Sequence, residues 1–249
     1  MTDRRQLALI TGASHPQDIG TAICRKLAAQ GLNICFTYWK ADSEWIHTFQ
    51  AELSAAGISS EAFEIDLSAP DAAERVLAHA VATIGAPSVL INNAAHSTHT
   101  DFATLDVTAL DAHYAVNVRS TLLLSTLFAR AFAEAGLKDG RIVNLTSGQD
   151  LGAMPEELAY AATKGAVSSF TTSFAAAVAP LGITVNALNP GPTDSTWMTE
   201  EIRTHLTPQF PFGRIGTPED AARTIAFLVS EDAAWVTGQV IHAEGGFSR

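Results

Sequence analysis

Short apolar runs alternate with helical patterns along the whole chain, and this alternation restricts the fold more than any other feature. The helical patterns begin near residues 19, 43, 70, 106, 157 and 218. The apolar runs have the length of buried strands, and they cover residues 6–10, 33–38, 60–65, 88–92, 141–145, 183–188 and 239–243. Strict β-α alternation predicts a parallel sheet with helices on both faces.

We therefore predict a single α/β domain over residues 1–249, built as a Rossmann-like, doubly wound parallel sheet of about seven strands. The chain is long enough to bury a substantial core, and no linker divides it. Residues 190–216 are rich in proline and lack a clear period, so we interpret them as a loop region.

The charge balance narrows the class of partner. Fifteen basic residues against 26 acidic ones give a formal charge of −11, whereas nucleic acids and anionic membranes attract basic patches. No apolar run reaches the length of a membrane span, and no signal-peptide pattern precedes the first strand. Cys24 and Cys35 lack metal-ligand spacing and are interpreted as buried hydrophobic residues of a reducing compartment. We expect a cytoplasmic protein that binds neither nucleic acid nor membrane.

In parallel sheets ligands bind at the carboxyl ends of the strands, so the segment after each strand is informative. The first is TGASHPQDIG, residues 11–20. Gly12 and Gly20 would supply a tight turn and a close helix approach, and the helix N-terminus would supply donors for a pyrophosphate. Asp18 stands where such loops usually carry glycine. We expect it to point away and cap the helix that starts at Ile19. An ordinary strand–helix turn remains an alternative.

The segments after strands two and three bear on the choice of nucleotide. A site limited to NAD usually ends strand two with an acid, whereas this chain has Trp39 and Lys40 there. Lys40 would pair with a 2′-phosphate, unless it is simply a solvated surface lysine. Asp66, after strand three, would accept from the adenine amino group or cap the next helix. These residues favour NADP(H) over NAD(H).

The segment after strand five leads to a set of residues suited to proton transfer. Tyr160 and Lys164 are four apart on one helix face, and Ser147 follows the preceding strand. A free tyrosine has a pKa near 10, too high for a base at neutral pH. We expect Lys164 to lower that pKa. Ser147 would hold a carbonyl oxygen beside the phenol.

Taken together, the motifs resemble those of the short-chain dehydrogenase/reductase family over almost the whole chain. They are TGAS…IG, DLS, NNA, NV at Asn117, NLTS, YAATK, NPGPT and TGQVIHAEGG. The resemblance implies hydride transfer between a nicotinamide and a carbonyl or alcohol carbon of a small molecule. Tyr160 would be the general acid/base, Lys164 its pKa modulator, and Ser147 the group that polarises the substrate. Asn117 would anchor a proton-relaying water.

The resemblance also implies the cofactor contacts and the assembly. It implies a homotetramer or a dimer. It also implies that residues 190–216 form a substrate lid. The apolar residues of this lid either face a hydrophobic substrate or pack the lid onto the body, and they are Trp197, Met198, Phe210 and Phe212. The expected cofactor contacts are Gly12, Ser14, His15, Ile19, Gly20, Trp39, Lys40, Asp66, Leu67, Asn93, Ala94, Ala95, Tyr160, Lys164, Pro190, Gly191, Thr193 and Ser195.

Two alternative functions stay open at this point. Enoyl-thioester reductases, a branch of the same superfamily, share the longer glycine-rich loop, but they place six residues between tyrosine and lysine where this chain has three. A non-catalytic NADP sensor would have little reason to keep Ser147, Tyr160 and Lys164 together. His96 and His99 follow strand four, and we interpret them as pocket-rim residues, with no metal site.

Overall fold

The computed structural model describes residues 6–248 and contains one parallel sheet of seven strands, ordered β3-β2-β1-β4-β5-β6-β7. This confirms the predicted doubly wound α/β fold. The strands are β1 (Leu7–Ile10), β2 (Asn33–Tyr38), β3 (Ser60–Glu64), β4 (Val89–Asn92), β5 (Gly140–Leu145), β6 (Ile183–Asn189) and β7 (Val240–His242). The helices are α1 (Ile19–Ala28), α2 (Ser43–Ala55), α3 (Ala72–Thr83), α4 (Val107–His113), α5 (Ser120–Glu134), α6 (Leu158–Val178), α7 (Glu200–Leu206) and α8 (Pro218–Val229).

The core consists of two apolar layers, one on each face of the sheet. Neighbouring residues of β5 show the division, because Ile142 and Val143 are both buried but belong to different layers. Helices α1, α2 and α8 cover the face of Val143, and α3, α5 and α6 cover the face of Ile142. Burial on both faces explains why the strands read as continuous apolar runs.

The strand order reverses between β1 and β4, which opens a crevice at the carboxyl edge of the sheet. Parallel pairing of Ile10 with Ile91 brings the ends of β1 and β4 side by side there. The glycine-rich loop and the segment after β4 therefore border the same crevice. None of the helices described in residues 6–248 is long and apolar enough to cross a membrane.

Two elements differ from the sequence-based prediction. The single helix expected over residues 106–135 is α4 and α5 joined by a π-helical turn, Tyr114–Arg119, which a search for a regular period does not reveal. The loop region 190–216 contains the short helix α7, so its description as wholly irregular is wrong. Thr199 caps α7 by accepting from the Ile202 N–H at 3.3 Å, and seven residues are too few to show a period.

Candidate active site

A cavity of about 620 Å³ lies in the crevice at the carboxyl edge. Its wall draws on the loops after β1 to β4, on α4 with the π-helical turn, and on the 190–216 segment. The lining residues are Gly12, Ser14, Asp18, Ile19, Thr37, Tyr38, Trp39, Ile65, Asp66, Leu67, Ser68, Asn93, Ala94, Ala95, His96, Ala112, Val116 and Ser195. Ten of the predicted cofactor residues are among them.

The two glycines of the loop after β1 are required by close backbone packing. Gly12 has a φ of +77°, and a Cβ on it would lie 2.8 Å from the Ala94 Cα. A Cβ on Gly20 would lie 2.1 Å from the carbonyl oxygen of Gly12 and 2.8 Å from the Asn93 side-chain nitrogen. The loop thus folds back on itself, and the start of α1 comes close to the crevice. This is the geometry expected of a phosphate-binding loop.

Asp18 does not cap α1 as we predicted. It stands at the N-cap position, but its carboxylate makes no bond to the first turn of the helix. Instead Oδ2 accepts from the Ser14 N–H at 3.2 Å, and Oδ1 accepts from the Thr196 hydroxyl at 3.1 Å. The side chain also lines the cavity, so the expectation that it points away is wrong. The Asp18 carboxylate therefore accepts from the Ser14 N–H of its own loop and not from the N–H groups of the first turn of α1.

The end of β2 places an aromatic ring at the cavity and a lysine beside it. Trp39 lines the cavity and is 45% exposed. Lys40 has a positive φ of 52°, and its Nζ lies 5.4 Å from the centroid of the Trp39 ring. Lys40 is exposed, as is His15 of the preceding loop, and neither forms part of the cavity wall. Asp42 caps α2 through the Glu44 N–H at 2.8 Å.

Asp66 and Leu67, after β3, line the cavity as predicted. Asp66 Oδ1 accepts from the Ser68 N–H at 2.8 Å, which closes a local turn, and α3 begins only at Ala72 with Asp71 at its N-cap. Asp66 therefore does not cap the next helix, and the alternative that we had left open is wrong.

The segment after β4 is fastened to the end of β1. The Thr11 hydroxyl accepts from the N–H groups of Asn93 and Ala94 at 3.0 and 3.1 Å. The Asn93 side chain donates to the carbonyl oxygens of Thr11 and Gly12 at 2.9 and 2.8 Å. These bonds hold the small residues of this segment against the floor of the cavity, where a flat ring would lie.

The residues predicted to be catalytic are close together, at the end of β5 and on α6. Ser147 lies near Tyr160, and its interaction with the phenol acts to lower the pKa of Tyr160. Lys164 lies one helical turn further on, with Nζ 5.4 Å from the centroid of the Tyr160 ring. Nζ also donates to the carbonyl oxygen of Leu145 at 2.7 Å. The side chain of Lys164 is only 3% exposed, so its position is fixed by the surrounding protein.

The pKa of Tyr160 moves in the direction opposite to our prediction. Burial, together with the nearby carboxylate of Glu157, raises the pKa of Tyr160 to about 12, and the hydrogen bond from Ser147 only partly opposes this. Burial lowers the pKa of Lys164 to about 8. The chain's own residues therefore keep the phenol protonated, and the expected lowering by Lys164 does not appear.

Asn117 lies in the π-helical turn and connects the catalytic helix to the segment after β4. Its Oδ1 accepts from the His96 N–H at 2.7 Å. Its amide nitrogen donates to the His96 carbonyl oxygen at 2.9 Å and to the Thr163 hydroxyl at 3.0 Å. Since His96 lines the cavity and Thr163 precedes Lys164 on α6, Asn117 links the cavity wall to the helix that carries Tyr160 and Lys164. Its water-relay role stays a prediction.

The NPGPT segment follows β6 and is shaped by one glycine. Gly191 has a φ of +66°, and its carbonyl oxygen accepts from the hydroxyl of the buried Thr193 at 3.1 Å. Ser195 lines the cavity. Further predicted cofactor contacts do not line the cavity and stay predictions, namely Gly20, Tyr160, Lys164, Pro190, Gly191 and Thr193.

The apolar residues of segment 190–216, the predicted lid, fall into two groups. Met198 and Phe210 are buried with Ile215 in a small separate cluster, so these two pack within the 190–216 segment. Trp197 and Phe212 are 52% and 79% exposed. Only this exposed pair remains available to meet a hydrophobic substrate.

Several wall residues were not predicted. Thr37 and Tyr38 immediately precede Trp39 at the end of β2, and their position at the end of a strand could have predicted that they line the cavity. Ala112 and Val116 reach the cavity through the α4 and π-helical connection, which no local motif marks. His96, predicted at the pocket rim, lines the cavity, whereas His99 lies 3.6 Å from Asp101. Within residues 6–248 no three His, Cys, Asp or Glu side chains are grouped as metal ligands.

Comparison with known proteins agrees with this geometry. A family model described as enoyl-(acyl carrier protein) reductase matches residues 12–248. An uncharacterized oxidoreductase of Bacillus subtilis is 60% identical over 246 residues, which cover 99% of this chain and 98% of the relative. A short-chain dehydrogenase/reductase of Serratia marcescens has a TM-score of 0.88 at 30% identity, with 98% of each chain covered. The chain belongs to the short-chain dehydrogenase/reductase family.

Two further structures of similar shape carry more specific descriptions. An acetoin dehydrogenase of Salmonella typhimurium has a TM-score of 0.88 at 29% identity, covering 98% of this chain and 96% of its own. A blue fluorescent protein from a metagenomic library, in complex with NADPH, has a TM-score of 0.88 at 30% identity and 98% coverage of both chains. Membership of the family makes this chain an oxidoreductase with a nicotinamide cofactor and a small-molecule substrate.

Proposed function

We propose that the protein interconverts a ketone and a secondary alcohol with NADP(H), working in the reductive direction, with Tyr160 as the general acid/base. The observation that supports this best is the contact set of the catalytic pair. Ser147 interacts with the Tyr160 phenol, and Lys164 lies one helical turn further along α6, with Nζ 5.4 Å from the centroid of the Tyr160 ring. Asn117 joins this pair to the cavity through His96.

Each residue has a defined task in the proposed reduction. The cofactor, when bound along the cavity, supplies the hydride. Tyr160 donates a proton to the developing alkoxide, which requires a protonated phenol, and a pKa of about 12 provides one at neutral pH. Ser147 holds the substrate oxygen beside the phenol. Lys164, which lies one helical turn from Tyr160 and is a predicted cofactor contact, would hold the bound cofactor beside the phenol.

The preference for NADP(H) rests on the end of β2. Trp39 and Lys40 stand where an acid would bond the ribose hydroxyls of NAD, and Lys40 is free to turn toward a 2′-phosphate because it is exposed. The NADPH complex of a protein of the same fold supports this choice.

Reduction of a C=C bond is the second candidate, because the matching family model carries the description of an enoyl reductase. The spacing of Tyr160 and Lys164 favours a carbonyl, since three intervening residues place the two groups a single turn apart on α6, whereas enoyl-thioester reductases separate theirs by six residues. The acetoin dehydrogenase of the same fold is named for a substrate that carries a ketone and a secondary alcohol.

The test is a substrate panel measured by loss of NADPH absorbance. We expect turnover of ketones by the wild-type enzyme and its loss, by a factor of about 10³ or more, in Tyr160→Phe, which lacks the acidic proton. The NADPH affinity of Tyr160→Phe should stay within about twofold of wild type. Turnover confined to conjugated enoyl thioesters would support the second candidate, and NADPH binding without any turnover would support a sensor.

We also propose a homotetramer in the cytoplasm. Large apolar side chains are exposed on two parts of the surface, with Phe102 at 92% and Val107 at 71% near α4 and Trp235 at 99% near β7. Both cysteines are free and buried, as suits a reducing compartment. Light scattering during size-exclusion chromatography tests the assembly.

A further inference from the structure

Asp18 is the residue of the glycine-rich loop that the proposed reaction does not use. Its two carboxylate oxygens bond to different parts of the chain, Oδ2 to the Ser14 N–H at 3.2 Å and Oδ1 to the Thr196 hydroxyl at 3.1 Å. Thr196 is 178 residues away in sequence, at the beginning of the lid region. The carboxylate therefore joins two segments that border the same cavity.

The hydrogen bonds continue beyond Asp18 on the side of the cofactor loop. The Ser14 hydroxyl accepts from the Trp39 N–H at 3.1 Å, so the loop is tied to the end of β2. Ser14, Asp18 and Trp39 all line the cavity. This end of the network thus lies at the residues expected to select the nucleotide.

On the other side the network reaches the lid helix. Ser195, next to Thr196, lines the cavity, and its carbonyl oxygen accepts from the Met198 N–H at 3.0 Å. Asp194 holds Arg203 of α7 through two bonds of 2.8 and 3.0 Å. A restraint on residues 194–196 is consequently a restraint on α7.

We propose that Asp18 is a positioning residue that clasps residues 194–198 of the lid to the glycine-rich loop across the cofactor cavity. This role explains why an acidic residue is present in a loop that is expected to bind phosphates, because both carboxylate oxygens of Asp18 accept hydrogen bonds from N–H and O–H donors. Charge-assisted hydrogen bonds of this kind are stronger than neutral ones. The clasp keeps Ser195 against the cavity, so its loss should weaken retention of the nucleotide.

Thr196→Val tests the clasp, with Thr196→Ser as the matched control. Valine keeps the shape of threonine and removes the donor, whereas serine keeps the hydroxyl. We expect Thr196→Val to raise the Kd for NADPH about fivefold to tenfold and to speed hydrogen exchange over residues 194–206, and Thr196→Ser to stay within twofold of wild type. Since Tyr160 is untouched, the pH profile of kcat should not change.

Asp18→Ala gives a second, independent comparison. It should reproduce the faster exchange over residues 194–206, and combining it with Thr196→Val should add little, because both remove the same bond. Equal Kd values and equal exchange in Thr196→Val, Thr196→Ser and wild type would overturn the inference, as would fully additive effects on exchange.

The inference depends on the proposed function only in taking the cavity to hold NADP(H). If the wild-type enzyme binds NADPH but reduces no ketone, the proposed function fails while the exchange comparison still decides on the clasp. If ketones are reduced and Thr196→Val behaves as wild type, the clasp fails alone.

Discussion

Replacing Lys164 by methionine should abolish activity and, at neutral pH, should not destabilise the fold, contrary to what removing a buried hydrogen-bond donor usually does. Lys164 is 3% exposed, and burial lowers the pKa of its ammonium from 10.5 to about 8. At about 1.4 kcal/mol per pH unit, this difference corresponds to roughly 3 kcal/mol spent on keeping the lysine charged in the folded state. Methionine, which is apolar and of similar length, would remove that cost.

The gain is opposed by one lost contact. Nζ donates to the Leu145 carbonyl oxygen at 2.7 Å, and leaving a buried acceptor unpaired costs about 1–3 kcal/mol. The net change at pH 7 is therefore about 0–2 kcal/mol in favour of Lys164→Met. The pH dependence of this difference in unfolding free energy is the more decisive measurement. Both the charged and the neutral amine of Lys164 can donate to Leu145, so the hydrogen bond contributes little to the pH dependence.

The sign follows from the proton count. Since the pKa of Lys164 is lower in the folded than in the unfolded chain, the unfolded chain holds more protons between pH 8 and 10.5, and wild-type stability gains with rising pH in that window. The advantage of Lys164→Met is complete below pH 8. It should shrink by roughly 3 kcal/mol by pH 10.5.

Equilibrium urea unfolding at a fixed protein concentration, at pH 7 and at pH 10.5, measures this difference. Lys26→Met is the control, because Lys26 is an exposed lysine of α1 and its replacement should give nearly the same change in unfolding free energy at both pH values. A pH-independent difference between wild type and Lys164→Met would show that the buried ammonium costs nothing, and the reasoning would be refuted.

Three further predictions concern the cofactor and the proton. Lys40→Ala should weaken NADPH about fivefold and NADH less than twofold in fluorescence titrations, and equal losses would exclude a 2′-phosphate contact. Alcohol oxidation should accelerate steadily from pH 7 to pH 10, because the pKa of Tyr160 is raised to about 12 and deprotonated phenol is scarce; a flat profile with chemistry rate-limiting would count against Tyr160 as base. Gly20→Ala, whose Cβ would lie 2.1 Å from the Gly12 carbonyl oxygen, should lower unfolding free energy by about 3 kcal/mol and impair NADPH binding, whereas Gly165→Ala, with nothing within 4 Å, should not.

Sequence patterns predicted the strands to within one or two residues, because a strand buried on both faces must be apolar throughout. They failed where structure depends on an extra residue or on distant contacts. The π-helical turn Tyr114–Arg119 interrupts the helix expected over 106–135, and it positions the buried Asn117. Helix α7 has seven residues and is held by Asp194 and Arg203, which no local period reveals.

The role of Asp18 shows a similar limit. An acid directly before a helix is a good capping residue, and that local rule led to the wrong prediction. The acceptor is taken instead by Ser14 four residues earlier and by Thr196, whose proximity is created only by the folded sheet. The sequence correctly indicated that the Asp18 carboxylate would accept hydrogen bonds. Which groups donate to it depends on the tertiary structure.

The same limit applies to the catalytic pair and bears on the direction of the reaction. Spacing on α6 correctly predicted that Tyr160 and Lys164 are neighbours, since four residues make one helical turn. Their pKa values, however, depend on burial, which raises that of Tyr160 and lowers that of Lys164. With its pKa raised to about 12 by desolvation and by the Glu157 carboxylate, the phenol of Tyr160 holds its proton throughout the neutral range. In the absence of an added positive charge near the phenol, the site is therefore prepared to donate a proton, as reduction of a carbonyl requires, and oxidation must first remove that proton.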